Sequence, residues 1–248
     1  ARRFGKSANE LTIKNMRNIN DAEIKKFDEL AHKWWDTDGE FRALHDINQL
    51  RLDFILQRSN LTSGPVIDVG CGGGILTESL AKISPTNVTG IDLANRALEV
   101  AKLHARISEV EVDYRATSAE DLSIKYGDHF ETLSCMEMLE HVPSIEESID
   151  SCARLVKPGG NLFFSTINRT PKAYLYLIIG AEYVLNILPR GTHAFDKFVK
   201  PSELAACLRK SRLEIVEMAG MQYDPFRRTC SLNSDLSTNY IVHARKSV

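Results

Sequence analysis

VIDVGCGGGILTESLA, residues 66–81, predicts a strand, a glycine loop and a helix in direct succession. The apolar run ends at Asp68, four glycines follow within residues 70–74, and an amphipathic helix pattern begins at Ile75. Because glycine has no Cβ, such a loop lets a ligand approach the backbone just before a helix N-terminus. The alternative is a plain tight turn, which would need only one or two glycines. The stretch therefore favours a ligand-binding loop.

Short apolar runs alternate with helix patterns from residue 65 to the C-terminus. The runs are VIDVG, NVTGIDL, VEVDYRA, FETLSCM, NLFFSTI, LEIVEMA and NYIVHAR. Strands separated by helices favour βαβ units, so we predict an α/β, Rossmann-like fold. Its sheet is expected to be seven-stranded and mostly parallel, with helices on both faces. Sheets of this kind bind ligands beyond the carboxyl ends of their strands, so we expect the functional site there.

The chain divides into a leading helical part and an α/β domain. Residues 1–60 are predicted to form a tail and a helical cap, and residues 61–248 the α/β domain. Within that domain, residues 168–200 form an insertion that a minimal fold does not require, and such insertions usually cover a substrate. Pro201 and a capping Ser202 are predicted to open the helix that follows.

Composition excludes some classes of function. A chain of 248 residues with 43% hydrophobic side chains can bury one substantial core. The formal net charge of −2 lacks the basic excess of proteins that hold phosphate backbones, so nucleic acid is not expected as a partner. The five cysteines are widely spaced without a C-x-x-C pair, which favours reduced thiols.

The spacing of the glycines discriminates between cofactors. A dinucleotide fingerprint, G-x-G-x-x-G, would need glycine at the position of Ile75. The pattern D-x-G-x-G-x-G, from Asp68 through Gly70, Gly72 and Gly74, instead resembles the first motif of the class I S-adenosylmethionine-dependent methyltransferases. The spacing thus opposes an NAD-dependent oxidoreductase.

Two further acids follow neighbouring strands. Asp92 ends the second strand, 18 residues beyond Gly74, and is predicted to accept hydrogen bonds from two ribose hydroxyls. A helix cap is compatible with the same role. Glu120 or its adjoining backbone is predicted to meet an adenine amino group, with a helix cap as the alternative.

Two carboxylates and an imidazole follow the fourth strand. Glu137, Glu140 and His141 stand at i, i+3 and i+4, so a helical turn would bring them to one face. They are the candidate catalytic groups and the candidate ligands of a hard divalent cation such as Mg²⁺. The alternatives are an ordinary surface pattern, or catalysis without metal in which His141 is the general base.

Nine segments give the chain a close resemblance to one family. They are HKWWD, GEFRALHDINQLRL, DVGCGGGILTESLA, CMEMLEHVP, LVKPGG, FFSTINR, GAEYVL, PRGTHAFDKFVKPSEL, and NY followed by HA. From about residue 22 to the C-terminus the sequence resembles the ubiquinone-biosynthesis O-methyltransferases, which methylate polyprenylated catechols and demethylubiquinol. The resemblance implies four contacts with S-adenosylmethionine, from Arg51, Gly70, Asp92 and Met136. It also implies that the acids and histidine of CMEMLEH hold a divalent ion.

The insertion carries an apolar stretch, residues 173–188, with Glu182 as its only charge. As a helix it would span roughly 24 Å, which is short of crossing a bilayer. Its tyrosines and the flanking Lys172 and Arg190 suit the surface of an anionic membrane, and an ordinary buried helix is the alternative.

A polyprenyl substrate resides in lipid, so the resemblance favours contact between residues 172–190 and a membrane. Other ubiquinone-biosynthesis proteins are further expected partners. The expected location is the bacterial cytoplasm, peripheral on the inner membrane, or alternatively the matrix side of the mitochondrial inner membrane. The competing interpretations are another small-molecule class I methyltransferase and a non-catalytic assembly subunit that binds S-adenosylmethionine.

Overall fold

A computed structural model describes residues 18–84, 87–176 and 195–248. Its strands are β1 Val66–Val69, β2 Val88–Asp92, β3 Asp113–Ala116, β4 Phe130–Met136, β5 Val156–Ile167, β6 Leu213–Asp224, β7 Thr229–Asn233 and β8 Asn239–Lys246. They form one sheet in the order β3-β2-β1-β4-β5-β8-β6-β7. Strands β1 to β5 are parallel, whereas β8 pairs antiparallel with both β5 and β6, and β7 pairs antiparallel with β6.

Helices cover both faces of the sheet. They are α1 Asp21–Leu30, α2 Arg42–Leu56, α3 Ile75–Ile83, α4 Asn95–Ile107, α5 Ala119–Lys125, α6 Ile145–Leu155 and α7 Pro201–Lys210. Successive side chains of a strand point to opposite faces, so Phe164 joins the core beneath α5, α6 and α7, whereas Phe163 joins the core beneath α2 and α3. The predicted α/β architecture is confirmed.

The described sheet has eight strands rather than the predicted seven. The additional strand, β7, forms a hairpin with β6. Its sequence, TCSLN, is short and only partly buried, so it carries no clear alternation of apolar and polar residues. The sheet is therefore longer by one antiparallel edge strand than the sequence indicates.

The helix after the insertion begins at Pro201, as predicted, but its cap is a different residue. Lys200 is the N-cap, and its backbone N–H donates to the Glu203 carboxylate at 3.1 Å. Ser202 lies inside the first turn, because proline at the first helical position moves the cap to the residue before it. The prediction of Ser202 as the cap was wrong.

The predicted helical cap consists of α1, α2 and the loop between them. Asn20 caps α1, and its side chain accepts from the backbone N–H of Ala22 and Glu23. Trp34, in the loop, stacks on Phe41 with 4.1 Å between the ring centroids and packs in a core cluster with the start of α3 and α4. The cap is thereby attached to the elements that flank the glycine loop.

The insertion is described only at its two ends. Thr170 caps a short helical turn, Pro171–Ala173, and a 3₁₀ turn, Phe195–Lys197, precedes α7. Residues 177–194, and with them most of the predicted apolar helix, lie outside the described residues. In the part of the chain that the structure describes, no helix is long and apolar enough to span a membrane.

Candidate active site

A cavity of about 280 Å³ opens at the carboxyl ends of β1, β2 and β4. Its walls include the glycine loop, the start of α5, the turn after β4 and the inner side of α1. Ten of the eleven predicted site residues line it, namely Arg51, Asp68, Gly70, Gly72, Asp92, Glu120, Met136, Glu137, Glu140 and His141. The remaining residue, Gly74, is not part of the lining. The strand topology thus brings together ten residues that are spread over about 90 positions of the sequence.

At Gly72 and Gly74 the backbone conformation and a close contact both exclude a side chain. Gly72 has φ +50°, and a Cβ there would lie 2.4 Å from the ring of Trp34. Gly74 has φ +86° and forms the N-cap of α3 in the left-handed region, where a Cβ would lie 2.3 Å from the Tyr114 hydroxyl. In this structure Gly74 thus shapes the start of α3, while Gly70 and Gly72 face the cavity.

Asp68 is buried below the loop and is held by two hydroxyl groups. Its Oδ1 accepts from Ser134 Oγ and its Oδ2 from Thr77 Oγ1, both at 2.6 Å. Burial raises the pKa of Asp68 to about 6, and these two hydrogen bonds oppose the rise. The carboxyl group therefore joins β1, β4 and α3 below the glycine loop.

Asp92 connects the glycine loop to α4. Its Oδ2 accepts from the backbone N–H of Gly72 and its Oδ1 from that of Ala94, both at 2.8 Å. Burial raises the pKa of Asp92, while the backbone donors oppose that rise. Each carboxylate oxygen has a second lone pair, so both can also accept from a ligand in the cavity.

Arg51 and Glu137 form a largely buried ion pair in the wall of the cavity. Arg51 Nη2 lies 3.0 Å from Glu137 Oε1, and the two side chains are 6% and 16% exposed. Glu137 also accepts from Ser165 Oγ at 2.7 Å. Among the described residues, Arg51 Nε is buried without a hydrogen-bond partner. A guanidinium with an unused buried donor suits an incoming carboxylate.

Glu140 lies deeper and carries a strongly perturbed carboxyl group. Its Oε2 accepts from Thr166 Oγ1 at 2.8 Å, and its Oε1 is buried with no hydrogen-bond partner in the described chain. Burial and then the charge of Glu137 raise the pKa of Glu140 to about 8. The burial of Glu140 and the nearby charge thus both favour the protonated form of its carboxyl group.

His141 faces the cap helix. Its Nδ1 lies 3.1 Å from Glu23 Oε2, and the ring of Phe27 meets the imidazole edge to face with 5.1 Å between the centroids. Lys197, at the end of the insertion, donates to Glu23 Oε1 at 2.9 Å. The hydrogen bond from His141 has the largest effect on Glu23, and together with Lys197 it lowers the pKa of that carboxyl to about 2 against the opposing effect of burial.

The expected three-ligand metal site is not found. Among residues 18–84, 87–176 and 195–248, no group of three or more His, Cys, Asp or Glu side chains is placed to hold a metal ion. The reason is the backbone after β4. Glu137 has φ +52° and only Leu139–His141 form a 3₁₀ turn, so the i, i+3, i+4 geometry of an α-helix does not apply. The three side chains do line one cavity, which excludes a mere surface pattern.

The cavity is closed near Glu120 by a residue that the sequence pattern does not single out. Asn18 Nδ2 donates to Glu120 Oε1 at 3.0 Å and to Ser148 Oγ at 2.8 Å. Its Oδ1 accepts from the backbone N–H of Ser144 at 2.6 Å. Asn18 and Glu23 are therefore functional candidates missed by sequence analysis, because a lone asparagine and a first-turn glutamate are ordinary near a helix start.

Comparisons with known proteins identify the family. Residues 28–218 match the family model of a methyltransferase domain. The chain is 53% identical to the ubiquinone biosynthesis O-methyltransferase of Saccharophagus degradans over 92% of its own length and 97% of the relative's. It is 52% identical to the enzyme of the same name from Chromobacterium violaceum, over 94% and 100% of the two chains. The chain belongs to the ubiquinone biosynthesis O-methyltransferase family.

Solved structures support the fold of this family member. It resembles magnesium protoporphyrin IX methyltransferase from Synechocystis, solved with S-adenosylhomocysteine, with a TM-score of 0.63 and 17% identity over 96% and 99% of the two chains. It also resembles a possible histamine N-methyltransferase from Thermotoga maritima, with a TM-score of 0.65 and 17% identity over 91% and 100%. The predicted methyltransferase fold and membership of the O-methyltransferases are both confirmed.

Proposed function

We propose that the protein transfers a methyl group from S-adenosylmethionine to a hydroxyl of a polyprenylated catechol or quinol, including 3-demethylubiquinol. The names of its relatives support the reaction class. The observation that carries the proposal is the turn after β4, which presents Glu137, Glu140 and His141 in the same cavity as the glycine loop. Cofactor-binding and proton-accepting groups thus adjoin one space.

The cofactor is proposed to lie along the carboxyl ends of β1, β2 and β4. Arg51 would hold the methionine carboxylate, because its guanidinium has an unused buried donor. Asp92 would accept from the ribose hydroxyls with the lone pairs that Gly72 and Ala94 leave unused. Glu120 borders the adenine end, and Gly70 and Met136 complete the wall.

The acceptor oxygen needs help to lose its proton, because a phenol has a pKa near 10. We assign this step to His141, whose imidazole takes the hydroxyl proton as the oxygen attacks the methyl carbon. The new C–O bond forms as the C–S bond breaks. The electron pair of the C–S bond stays on sulfur, which gives neutral S-adenosylhomocysteine. Positioning the two substrates in one cavity contributes the rest of the rate enhancement.

The contacts of Glu137 and His141 do not favour the predicted Mg²⁺. Glu137 is paired with Arg51 and His141 with Glu23, so no step is routed through a metal. A bound cation would supply Lewis-acid activation of the acceptor oxygen. An assay with Mg²⁺ and with chelator distinguishes the two versions, since only a metal-dependent enzyme loses its product in chelator.

Product formation from a short-tailed catechol, followed by mass spectrometry, tests the reaction itself. His141→Asn is expected to lower kcat by about 100-fold or more while S-adenosylmethionine binds as tightly as in the wild type. The exposed His32→Asn is the matched control and should retain full activity. Full activity in His141→Asn would overturn the assignment of the base. A wild-type protein that binds S-adenosylmethionine but forms no product would overturn the proposed acceptor.

We also propose that residues 172–190 contact an anionic membrane surface where the polyprenyl substrate resides. Support comes from Tyr174, Leu175 and Tyr176, which are 42%, 55% and 63% exposed at the start of the insertion. Phe195, at its other end, packs against Tyr174. Flotation with vesicles containing anionic lipid should carry the intact protein upward, and neutral vesicles should not. Failure to float with anionic vesicles would exclude this contact.

A further inference from the structure

The glycine loop is held from two sides, and β2 holds one of them. The backbone N–H groups of Gly70 and Cys71 donate to the carbonyl oxygen of Ile91 at 2.9 and 3.0 Å. The backbone N–H of Gly72 donates to the Asp92 carboxylate at 2.8 Å. Glycine allows a backbone more conformations than any other residue, so a loop that is rich in it depends on such outside contacts for its order.

The cap holds the other side of the loop through two neighbouring tryptophans. Trp35 Nε1–H donates to the carbonyl oxygen of Gly73 at 2.9 Å, at the peptide group that leads into α3. Trp34 packs on the same stretch, because a Cβ at Gly73 would lie 2.6 Å from its side chain. Trp34 is also part of the cavity wall, whereas Trp35 is not. Any effect of Trp35 on a ligand must therefore pass through the loop.

The indole ring of Trp35 is itself fixed in place. It stacks on the ring of His104, on α4, with 3.3 Å between the centroids and 3° between the planes. The ring of His45, on α2, meets it edge to face at 5.5 Å. Nδ1 of His104 lies 2.8 and 3.0 Å from the two carboxyl oxygens of Glu78, a buried side chain in the first turn of α3. Three helices thus determine where the indole N–H points.

We infer that Trp35 is a positioning residue for cofactor binding, which holds the Gly73 carbonyl so that the glycine loop keeps the conformation that receives S-adenosylmethionine. The inference deepens the proposed function and rests on the position proposed for the cofactor. A loop that is ordered before its ligand arrives loses less entropy on binding, so a contact outside the cavity raises the affinity. Because Trp35 belongs to the cap, the cap contributes to this affinity through a residue that does not line the cavity.

Replacement of Trp35 with benzothienylalanine tests the donor alone, because sulfur takes the place of the N–H and the ring keeps its shape. The Kd for S-adenosylmethionine should rise by about three- to tenfold, as expected for the loss of one neutral hydrogen bond. At saturating cofactor kcat should stay within about twofold of the wild type. Trp35→Phe, which also removes part of the stack, should raise the Kd at least as much.

Lys33→Gln is the matched control, since it removes an ion pair with Glu40 inside the same loop of the cap. It should bind S-adenosylmethionine as the wild type does. An unchanged Kd in the benzothienylalanine protein would overturn the inference. An equal rise of the Kd in Lys33→Gln would also overturn it, because any loosening of the cap would then be sufficient.

Hydrogen exchange of the protein without ligand gives a readout that needs neither turnover nor cofactor. The backbone amides of residues 72–76 should exchange faster in the benzothienylalanine protein than in the wild type, and at the wild-type rate in Lys33→Gln. Equal exchange in the benzothienylalanine protein and the wild type would overturn the inference. Faster exchange and a raised Kd, together with a wild type that forms no methylated product, would contradict the proposed reaction and leave the role of Trp35 intact.

Discussion

Asp92 holds the glycine loop in place and is also the residue proposed to bind the ribose of the cofactor. Its two oxygens accept from the backbone N–H of Gly72 and of Ala94, which join the glycine loop to α4. Asparagine has one accepting oxygen and a donating NH₂ group, so Asp92→Asn would turn a donor toward one of these N–H groups. The substitution therefore affects the geometry of the loop as well as the charge at the proposed ribose site.

We expect Asp92→Asn to weaken binding of S-adenosylmethionine by about 10- to 100-fold, since hydrogen bonds to a charged group contribute about 1.5–3 kcal/mol each. Isothermal titration calorimetry measures this Kd directly. The control is Asp121→Asn, at an exposed position of α5, which should bind as the wild type does. Binding by Asp92→Asn within twofold of the wild type would show that Asp92 has no contact with the cofactor.

The predictability of the site differs from residue to residue. Asp68 is the last residue but one of β1 and Asp92 ends β2, and both strands have strong apolar patterns, so their position at one edge of the sheet follows from the sequence. The geometry of Glu137 does not, because it depends on a left-handed φ that spacing along the chain cannot reveal. Glu23 was also missed, since only tertiary packing brings α1 against a turn 118 residues away.

At the scale of elements, the unpredicted hairpin of β6 and β7 acts as a clamp on the cap. Arg228 lies in the turn between β6 and β7. It donates to Asp38 Oδ1 at 2.7 Å and to Thr37 O at 2.8 Å, both in the loop between α1 and α2. Tyr223, on β6, donates its hydroxyl to Asp46 Oδ2 at 2.6 Å. The β6–β7 hairpin therefore connects the far edge of the sheet to the cap that lines the cavity.

Asp46→Ala is expected to release this clamp. The carboxylate of Asp46 is nearly buried and accepts from both Tyr223 and Arg228, so its loss leaves two donors without their acceptor. The free energy of unfolding should fall by about 1.5–3 kcal/mol. Hydrogen exchange should also become faster in the loop between α1 and α2. Asp53→Ala, at an exposed position of the same helix, is the control and should change neither quantity appreciably. Unchanged exchange in that loop for Asp46→Ala would contradict the clamp.

At the scale of the whole molecule, the central strands link the site to the core. Strand β8 pairs with β5 along Asn161 to Ile167, and this part of β5 supplies Ser165 and Thr166 to the acids of the cavity. His243 lies on β8 directly opposite Phe163, stacks on its ring at 4.8 Å and bonds Asn161 Oδ1 through Nε2 at 2.9 Å. Within the described chain its Nδ1 is buried without a partner, so a second ring proton would have no acceptor.

This arrangement makes stability depend on pH. Burial, and then the charges of Arg245 and Arg58, lower the pKa of His243 from 6.5 to about 4. Because the folded pKa lies below the unfolded one, the unfolded chain binds more protons between those two values. The contribution of His243 is therefore constant above about pH 6.5 and turns against folding as the pH falls toward 4, by up to about 3 kcal/mol.

His243→Gln should flatten this part of the pH profile. Glutamine stays neutral and can still donate to Asn161, so the variant is expected to lose less stability than the wild type between pH 7 and pH 4.5. Urea unfolding at several pH values gives the slope of the free energy of unfolding against pH for each protein. The carboxylates are common to both proteins, so their titration cancels in the difference between the two slopes. The exposed His129→Gln should retain the wild-type slope. A His243 that is buried in its neutral form must make the wild type lose more stability in acid than His243→Gln. Equal slopes for the two proteins would therefore mean that acid destabilises the sheet through other groups.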